Sequence, residues 1–507
     1  MITFSVTKMD AEKALEVVGG FGRYQIGATA LICLANFIYG QQLVLMVIVG
    51  ATPNITMENQ KNLTTIVTDF DLYGEKWVTD LIQGLCMGGF LVGAVVFGQA
   101  SDLIGRKPVF LLTSILMVIS CFCSGFTTNW KTFAVSRFFV GLFLGGAGVA
   151  LFVTLSEITG KSVWTKVGLI YQCSFSLGIV FLAGLSYAIQ KWRIICLVTS
   201  GLGVVILSPI VFFIPESPKW LYAVGKSEKA EKVFQKIARW NGKDATNLAL
   251  DHVSEESQKK THTFLDMFRY KKLAVWLFSM AVVWFTSSLV YYGLTMSASD
   301  LTSDLYIGVA LLGAVEIPAI LSCMFLMDFK WLGRRGTVLV LFLICFAVSV
   351  TTIFVPAKYG TAILALGLTS KLCSSGIFAV IYVYTTEIFP TPLRTVALGT
   401  SSTVARIGAI VASFIPLLLV DLPILPYILF GASTSLAAIL TLLLPETLGK
   451  PMPQTVEEVV NASYQTLGQA ENETLVQVFV SNIMWILNIK YECVLSCRLK
   501  NRTLEFQ

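Results

Sequence analysis

One short stretch decides the fold: residues 98–107 read Gly-Gln-Ala-Ser-Asp-Leu-Ile-Gly-Arg-Lys and connect two long apolar runs. Its charges are confined to the connection, where Asp102 stands close to Arg106 and Lys107. Each flanking run has roughly the twenty apolar residues that an α-helix needs to cross a bilayer. The stretch therefore predicts a tight, charged turn between two membrane-spanning helices.

The composition agrees with a membrane protein and excludes several other classes. The 507 residues are 55% hydrophobic and only 13% charged, whereas soluble domains average about 25% charged residues. A disordered chain, a collagen-like repeat, a set of soluble domains and a nucleic-acid-binding domain are excluded. The two histidines, His252 and His262, share one polar stretch, so the apolar runs hold no histidine for a metal cluster or proton relay. The connections predicted to face outside contain no cysteine for a disulfide framework.

Twelve apolar runs predict twelve membrane spans. They are rich in glycine and lack the alternation of a barrel strand, which favours helices. The predicted fold class is an all-α polytopic membrane protein. The spans are expected near 24–48, 79–99, 108–126, 132–155, 164–187, 194–213, 273–296, 304–327, 337–354, 361–385, 395–419 and 424–444.

The longest connection divides the chain into four parts. Residues 1–213 form an N-terminal six-helix half, 214–272 a basic linker with amphipathic helices, 273–445 a C-terminal half and 446–507 a tail. The linker suits lipid contact and a latch between the halves, or a plain solvated connector. Residues 475–489 of the tail are apolar but interrupted by polar side chains, which favours a surface helix over a thirteenth span.

The basic residues predict the orientation. With a cytoplasmic N-terminus, 28 of the 37 Lys and Arg residues fall in inside segments, as the positive-inside rule requires. Both termini are therefore expected in the cytoplasm, and the protein in the plasma membrane. The 51–78 connection then faces outside, and its two Asn-X-Thr sequons predict glycosylation at Asn54 and Asn62.

Two halves of the chain repeat each other. Glu157 and Glu387 end spans 4 and 10, and Glu216 and Glu446 follow spans 6 and 12, each pair 230 residues apart. The 98–107 stretch has a partial copy in residues 333–335, where the offset is 228. Parallel six-span repeats around a mid-membrane cavity are a known way to build a transporter.

The repeated charges predict a gate that forms ion pairs in one state of the cavity and releases them in the other. A carboxylate at a helix C-terminus opposes the helix dipole and needs a nearby cation. The simpler interpretation is that these charges only anchor topology. In the second half, Lys330 stands where an acid is expected and Asp328 lies two positions earlier, so that network is expected to be wired differently or to be weaker. The predicted gating residues are Asp102, Gly105, Arg106, Lys107, Glu157, Glu216, Gly333, Arg334, Arg335, Glu387, Arg394 and Glu446.

These motifs resemble a known family. The 98–107 stretch resembles the signature loop of the major facilitator superfamily. Residues 215–221 (Pro-Glu-Ser-Pro-Lys-Trp-Leu) and 386–391 (Thr-Glu-Ile-Phe-Pro-Thr) are similar to motifs of solute carrier family 22, and 49–53 (Val-Gly-Ala-Thr-Pro) is most like its member-15-like branch. The resemblance covers about residues 10–450. It implies a carrier that works by alternating access, without enzymatic activity or a cofactor.

Most members of that family carry a long, cysteine-stapled domain after span 1. The 51–78 connection is short and has no cysteine, so a role in family-style oligomerisation is not expected and the protein is predicted to function as a monomer.

Three charged residues inside spans are the candidate substrate contacts, because a charge in the bilayer is costly and functional by default. Arg406, Glu316 and Lys371 are each roughly 15–18 Å from a span end, near mid-depth. Arginine grips a carboxylate with two hydrogen bonds, and a glutamate holds an ammonium group. A Glu316–Arg406 or Glu316–Lys371 ion pair that only joins helices is the structural alternative. The resemblance favours Trp284 and Tyr291 in span 7 as cavity residues, with a lipid-facing or packing surface as the alternative, and Gln172 in span 5 is a further polar candidate.

The resemblance sharpens the substrate class. At the position of Arg406 the family's cation transporters carry aspartate, and its anion and carnitine carriers carry arginine; Lys371 likewise matches the anion and carnitine branches. Two cations facing one acid favour a carnitine- or betaine-like zwitterion or an organic anion. An organic-cation facilitator and a non-transporting membrane sensor are the alternatives. A coupling ion, Na⁺ or H⁺, stays open.

Overall fold

The computed structural model describes residues 9–53, 63–244, 248–251, 267–298, 302, 304–356, 358–422, 424–450, 452–453 and 455–461. The predicted glycosylation sites Asn54 and Asn62 lie outside the described residues, as does the apolar 475–489 stretch of the tail.

The all-α fold with twelve spans is confirmed. Within the described ranges, eleven helices are long and apolar enough to cross a membrane, and the twelfth span is a shorter apolar helix. Spans 1 to 7 are Arg23–Val49, Lys76–Ile104, Arg106–Ser124, Trp130–Ile158, Lys161–Ile189, Trp192–Phe213 and Lys271–Met296; spans 9, 10 and 12 are Gly333–Phe354, Gly360–Ile388 and Leu425–Thr441. Shorter helices are Ala11–Val17, Ile66–Asp69, Pro218–Ala223, Ser227–Asn241 and Val456–Asn461.

Spans 8 and 11 are each interrupted once. Span 8 consists of Leu305–Ala314 and Glu316–Leu326, and span 11 of Thr391–Ala412 and Ile415–Asp421. In each case the first piece ends four residues before a proline, Pro318 or Pro416. A proline lacks the N–H that would bond the carbonyl four residues earlier, and its ring crowds that carbonyl. The break in span 8 places Glu316 at the start of a helical segment.

The bundle has two different ends. We call the end that carries the 98–107 and 327–335 connections the network end, and the other the opposite end. At the opposite end every residue from 38 to 49 in span 1 and from 286 to 298 in span 7 and its C-terminal extension is buried. A helix on the surface of a bundle buries one stripe only, so these two segments are enclosed by neighbours. Side chains from both halves form one shared hydrophobic core there, and the halves are sealed together.

The linker and the N-terminal segment form a small unit at the network end. The side chain of Asn241, at the end of the Ser227–Asn241 helix, accepts a 2.9 Å hydrogen bond from the Tyr24 amide and donates one of 2.9 Å to the Val18 carbonyl. Farther along, the Asp251 amide donates to the Met9 carbonyl at 3.0 Å. The linker is thereby fastened to the start of span 1.

Candidate functional site

A buried guanidinium organises the first charged network. Arg106 lies at the start of span 3, and its Nη2 is 3.0 Å from Oε1 of Glu157 at the end of span 4. Its Nη1 is 2.8 Å from Asp102 Oδ1 and donates to the Ser101 carbonyl. One side chain therefore joins spans 2, 3 and 4.

Glu216 completes this network from beyond span 6. Its Oε1 accepts hydrogen bonds from the backbone amides of Arg106 at 2.9 Å and Lys107 at 3.2 Å. These amides have no partner within the helix, and the positive end of the helix dipole favours an anion there. Gly105 has a φ of 119°, and a Cβ at that position would overlap the Glu216 carboxylate. Glycine is thus required both by the backbone and by the close approach of the acid.

The second half repeats the arrangement. Arg334 Nε is 3.1 Å from Glu387 Oε2, and Glu446 accepts the backbone amides of Arg334 and Arg335, each at 3.0 Å. Gly333 again has a positive φ, 63°, beside the Glu446 carboxylate. The internal repeat of the sequence is therefore a repeat of three-dimensional contacts.

Asp328, which lies two positions earlier than the acid expected in the second network, still pairs with Arg334. Asp328 Oδ1 lies 3.2 Å from Arg334 Nη1, so the acid has moved in sequence without changing the guanidinium it pairs with. The network is wired like the first, with a longer ion pair than the 2.8 Å of Asp102.

Arg394 is not part of the second network. Glu387 is paired with Arg334 and accepts a hydrogen bond from Thr447. The Nε and Nη2 of Arg394 are buried without a hydrogen bond, and the charge that acts on this guanidinium is Glu12, in the N-terminal helix Ala11–Val17.

Two of the three candidate charges form an ion pair. Lys371 of span 10 is fully buried and Glu316 of span 8 is 2% exposed, and Lys371 Nζ lies 2.8 Å from Glu316 Oε1. The ammonium also donates to Thr295 Oγ1 of span 7 at 2.6 Å. The other carboxylate oxygen accepts a hydrogen bond from the Ser176 hydroxyl of span 5. The pair therefore contacts both halves of the protein.

The aromatic candidates divide between two environments. The Tyr291 ring lies under Lys371, with its centroid 3.1 Å from Nζ, and so contributes a cation–π contact. Trp284 is fully buried, donates to Thr385 Oγ1 at 3.0 Å and packs on the Tyr382 ring, 4.6 Å between centroids. That places Trp284 in the packing between spans 7 and 10. Gln172 is half-buried on span 5.

Arg406 of span 11 is the third candidate charge, and the ion pair leaves it out. Its Cζ lies 4.4 Å from the ring centroid of Phe90, in span 2 of the other half. Its Nε is buried with no hydrogen bond, and among the described residues its guanidinium has no carboxylate partner. Tyr171 and Tyr292 lie within its electrostatic range. An unpaired guanidinium between the two halves can accept an anionic group.

The sequence prediction missed two hydroxyl partners of the ion pair. Ser176 lies four residues after Gln172, and Thr295 four residues after Tyr291. Residues four apart share one face of a helix, so the predicted residues marked the correct faces of spans 5 and 7. Phe90 is one of many apolar residues in span 2, and no pattern distinguishes it.

The comparisons with known proteins fit this geometry. The profile of the "Sugar (and other) transporter" family matches residues 30–458. A "Solute carrier family 22 member 15-like" protein of Xenopus tropicalis is 35% identical over 486 residues, which cover 92% of this chain and 99% of the relative. The chain belongs to solute carrier family 22. It is a multi-pass membrane transporter of small organic solutes, not an enzyme.

Other relatives place this family 22 carrier more finely. "Solute carrier family 22 member 15" of Xenopus tropicalis is 33% identical, covering 90% of this chain and 92% of the relative. "Organic cation/carnitine transporter 2" of Rattus norvegicus is 32% identical, covering 82% and 75%. The predicted likeness to the member-15-like branch is confirmed.

Solved structures show the fold of this carrier. The xylose transporter XylE from E. coli, in a partially occluded inward-open conformation, superposes with a TM-score of 0.63 at 16% identity. The match covers 84% of this chain and 99% of XylE. The predicted major facilitator fold is confirmed.

Proposed function

We propose that this carrier moves small zwitterions of the carnitine or betaine type, or organic anions, by alternating access, and that Arg406 holds the substrate carboxylate. One observation carries the proposal. Arg406 lies between the halves, with a buried Nε that has no hydrogen bond and no carboxylate partner among the described residues. A guanidinium binds a carboxylate through two parallel hydrogen bonds, which would satisfy that donor.

The other charges set the balance of the site. Glu316 and Lys371 neutralise each other at 2.8 Å, so Arg406 leaves one net positive charge. A simple organic cation would meet that charge unfavourably, because the only acid of the three is already paired. The cationic group of a zwitterion can instead lie on an aromatic ring, and Tyr292 is one such ring within the electrostatic range of Arg406.

We infer the orientation of the protein in its membrane from the basic residues of its connections. We place the network end in the cytoplasm of a plasma-membrane carrier because the basic residues concentrate there. The seal between the halves then lies on the outer side. We expect a single chain to be the transporting unit, with Na⁺ or H⁺ as the candidate coupling ions.

Uptake by cells that express Arg406→Gln tests the proposal. Losing one charge-assisted bidentate contact of about 2–3 kcal/mol predicts a 30- to 150-fold loss in carnitine or betaine uptake efficiency. Arg406→Lys keeps the positive charge but not the planar guanidinium that makes two parallel hydrogen bonds. Its uptake efficiency is expected to lie between those of the wild type and Arg406→Gln. Lys131→Gln, an exposed change at the opposite end, is the control, and surface amounts are measured for all four proteins.

Three results would redirect the assignment. Undiminished zwitterion uptake by Arg406→Gln would show that the carboxylate is held elsewhere. Uptake of tetraethylammonium but not of carnitine would identify an organic-cation facilitator. Ligand binding by purified protein without flux into liposomes would identify a sensor on the transporter fold. Repeating uptake at two pH values, with and without sodium, identifies the coupling ion.

A further inference from the structure

The linker helix Ser227–Asn241 has two chemically different faces. Its buried face is small and apolar and consists of Ala230, Phe234, Ile237 and Ala238. Most of its exposed positions are basic and recur at helical spacing. We call these residues the basic face: Lys229, Lys232, Lys236, Arg239 and, just beyond the helix, Lys243.

Few acids offset this charge. Glu231 on the same helix accepts a hydrogen bond from the Leu250 amide and is directed at the linker itself. Exposed acids occur only near the two ends of the stretch, at Glu228 and Asp244. The basic face is therefore a cationic strip that the neighbouring described residues leave open.

The end of the strip is fixed at the membrane boundary. Trp240 is 52% exposed, and its ring lies 5.3 Å from that of Phe213, the last residue of span 6. Phe213 in turn stacks on Tyr24, in the first turn of span 1. Since spans 1 and 6 leave the bilayer at these residues, Trp240 lies at headgroup depth, where tryptophan is enriched in membrane proteins.

Exposed apolar side chains surround this point. Phe212 is 83% exposed, and Val17 and Phe21, just before span 1, are also exposed. An apolar border joined to a row of cations is the arrangement with which interfacial helices bind a charged membrane surface.

We propose that the basic face binds the headgroups of anionic phospholipids at the network end. The phosphate and carboxylate groups of these lipids pair with Lys229, Lys232, Lys236 and Arg239, while Trp240 anchors the helix among the headgroups. This interaction is independent of the substrate site at Arg406.

One electrostatic interaction links this surface to the first charged network. Lys236 lies within electrostatic range of Lys107, whose backbone amide donates to Glu216. A lipid anion between the two ammonium groups would relieve their repulsion. Lipid binding is therefore expected to stabilise the linker against the network.

Thermal unfolding of the purified full-length protein tests the proposal. Dioctanoyl-phosphatidylserine is titrated in mild detergent, with dioctanoyl-phosphatidylcholine, inorganic phosphate and glycerophosphoserine as separate arms. A ligand that binds only the folded protein raises the unfolding midpoint by an amount that grows with the logarithm of its concentration divided by its Kd. Dioctanoyl-phosphatidylserine is expected to raise the unfolding midpoint, and the other three compounds are not. Salt at 0.5 M should reduce the increase that phosphatidylserine causes.

Two triple variants that remove equal charge complete the test. Lys229→Gln/Lys232→Gln/Lys236→Gln is expected to weaken phosphatidylserine binding by roughly 100-fold, about 3 kcal/mol for three surface cations. The control Lys131→Gln/Lys191→Gln/Lys358→Gln removes three exposed lysines at the opposite end and should bind like the wild type. Equal weakening in both variants, or an equal response to inorganic phosphate, would overturn the proposal. All changed residues are exposed, so unchanged midpoints without lipid verify folding.

Discussion

The Glu316–Lys371 ion pair makes the sharpest prediction about this carrier. Both side chains are almost fully buried, and their charged atoms lie 2.8 Å apart. Glu316→Gln leaves the Lys371 ammonium with Thr295 and the Tyr291 ring but without a counter-charge. Removing one member of a buried pair costs about 3–5 kcal/mol.

The expected change in unfolding temperature follows from the size of the protein. The unfolding entropy is roughly 2 cal/mol/K per residue. For a chain of 507 residues, each kcal/mol lost from the free energy of unfolding therefore lowers the thermal midpoint by about 1 °C. Glu316→Gln is therefore expected to lower the midpoint by about 3–5 °C. The exposed Glu75→Gln at the opposite end serves as the control and should shift it by less than about 0.5 °C.

A double-mutant cycle separates the pair from the two single residues. Lys371→Met alone leaves Glu316 with the Ser176 hydroxyl and should cost as much as Glu316→Gln. The double variant Glu316→Gln/Lys371→Met removes both charges and should lie within about 1 °C of the wild type, because replacing a whole buried pair is often neutral. Additive losses in the double variant would show that the residues do not compensate each other.

Uptake by the double variant then decides between the two roles of the pair. If the pair only joins helices, the double variant keeps its transport rate. Loss of transport at an unchanged midpoint would place the pair in the transport cycle itself, since Glu316 joins Ser176 of one half to Lys371 of the other.

Two pairs of substitutions test the network end. Gly105→Ala should lower the unfolding temperature more than Gly333→Ala. Both substitutions displace a carboxylate, but the backbone of Gly105, at φ 119° and ψ 158°, is accessible to glycine alone. Gly333 has a φ of 63°, which is left-handed helical and only strained for alanine. Equal losses of unfolding temperature would mean that displacement of the carboxylate, not backbone strain, accounts for most of the cost. Asn241→Ala should lower the free energy of unfolding by about 1–3 kcal/mol, because its hydrogen bonds to the start of span 1 are lost. Gly22→Ala would overlap Asn241, so the two changes together should cost little more than either alone in the same unfolding assay.

The sequence by itself determined the elements and the repeat. A bilayer allows long apolar helices and little else, so the twelve runs located the spans to within a few residues. The network residues could also be predicted, because each lies at a span end next to a turn with its own motif. Their duplication at offsets of 228 and 230 residues indicated that the two sets act alike. The structure shows the partners, Arg106 with Glu157 and Arg334 with Glu387.

The tertiary structure alone decided which charges meet inside the bilayer. The sequence placed Arg406, Lys371 and Glu316 at similar depth, but depth does not fix how each helix is rotated or which neighbour it faces. Packing turned Glu316 toward Lys371 and left Arg406 against Phe90, and it directed Trp284 to Thr385. Such contacts depend on interhelical distances of a few ångströms, which a one-dimensional pattern does not contain. Which of the three candidate charges stays outside the ion pair, the point on which the substrate proposal rests, is thus a property of the fold.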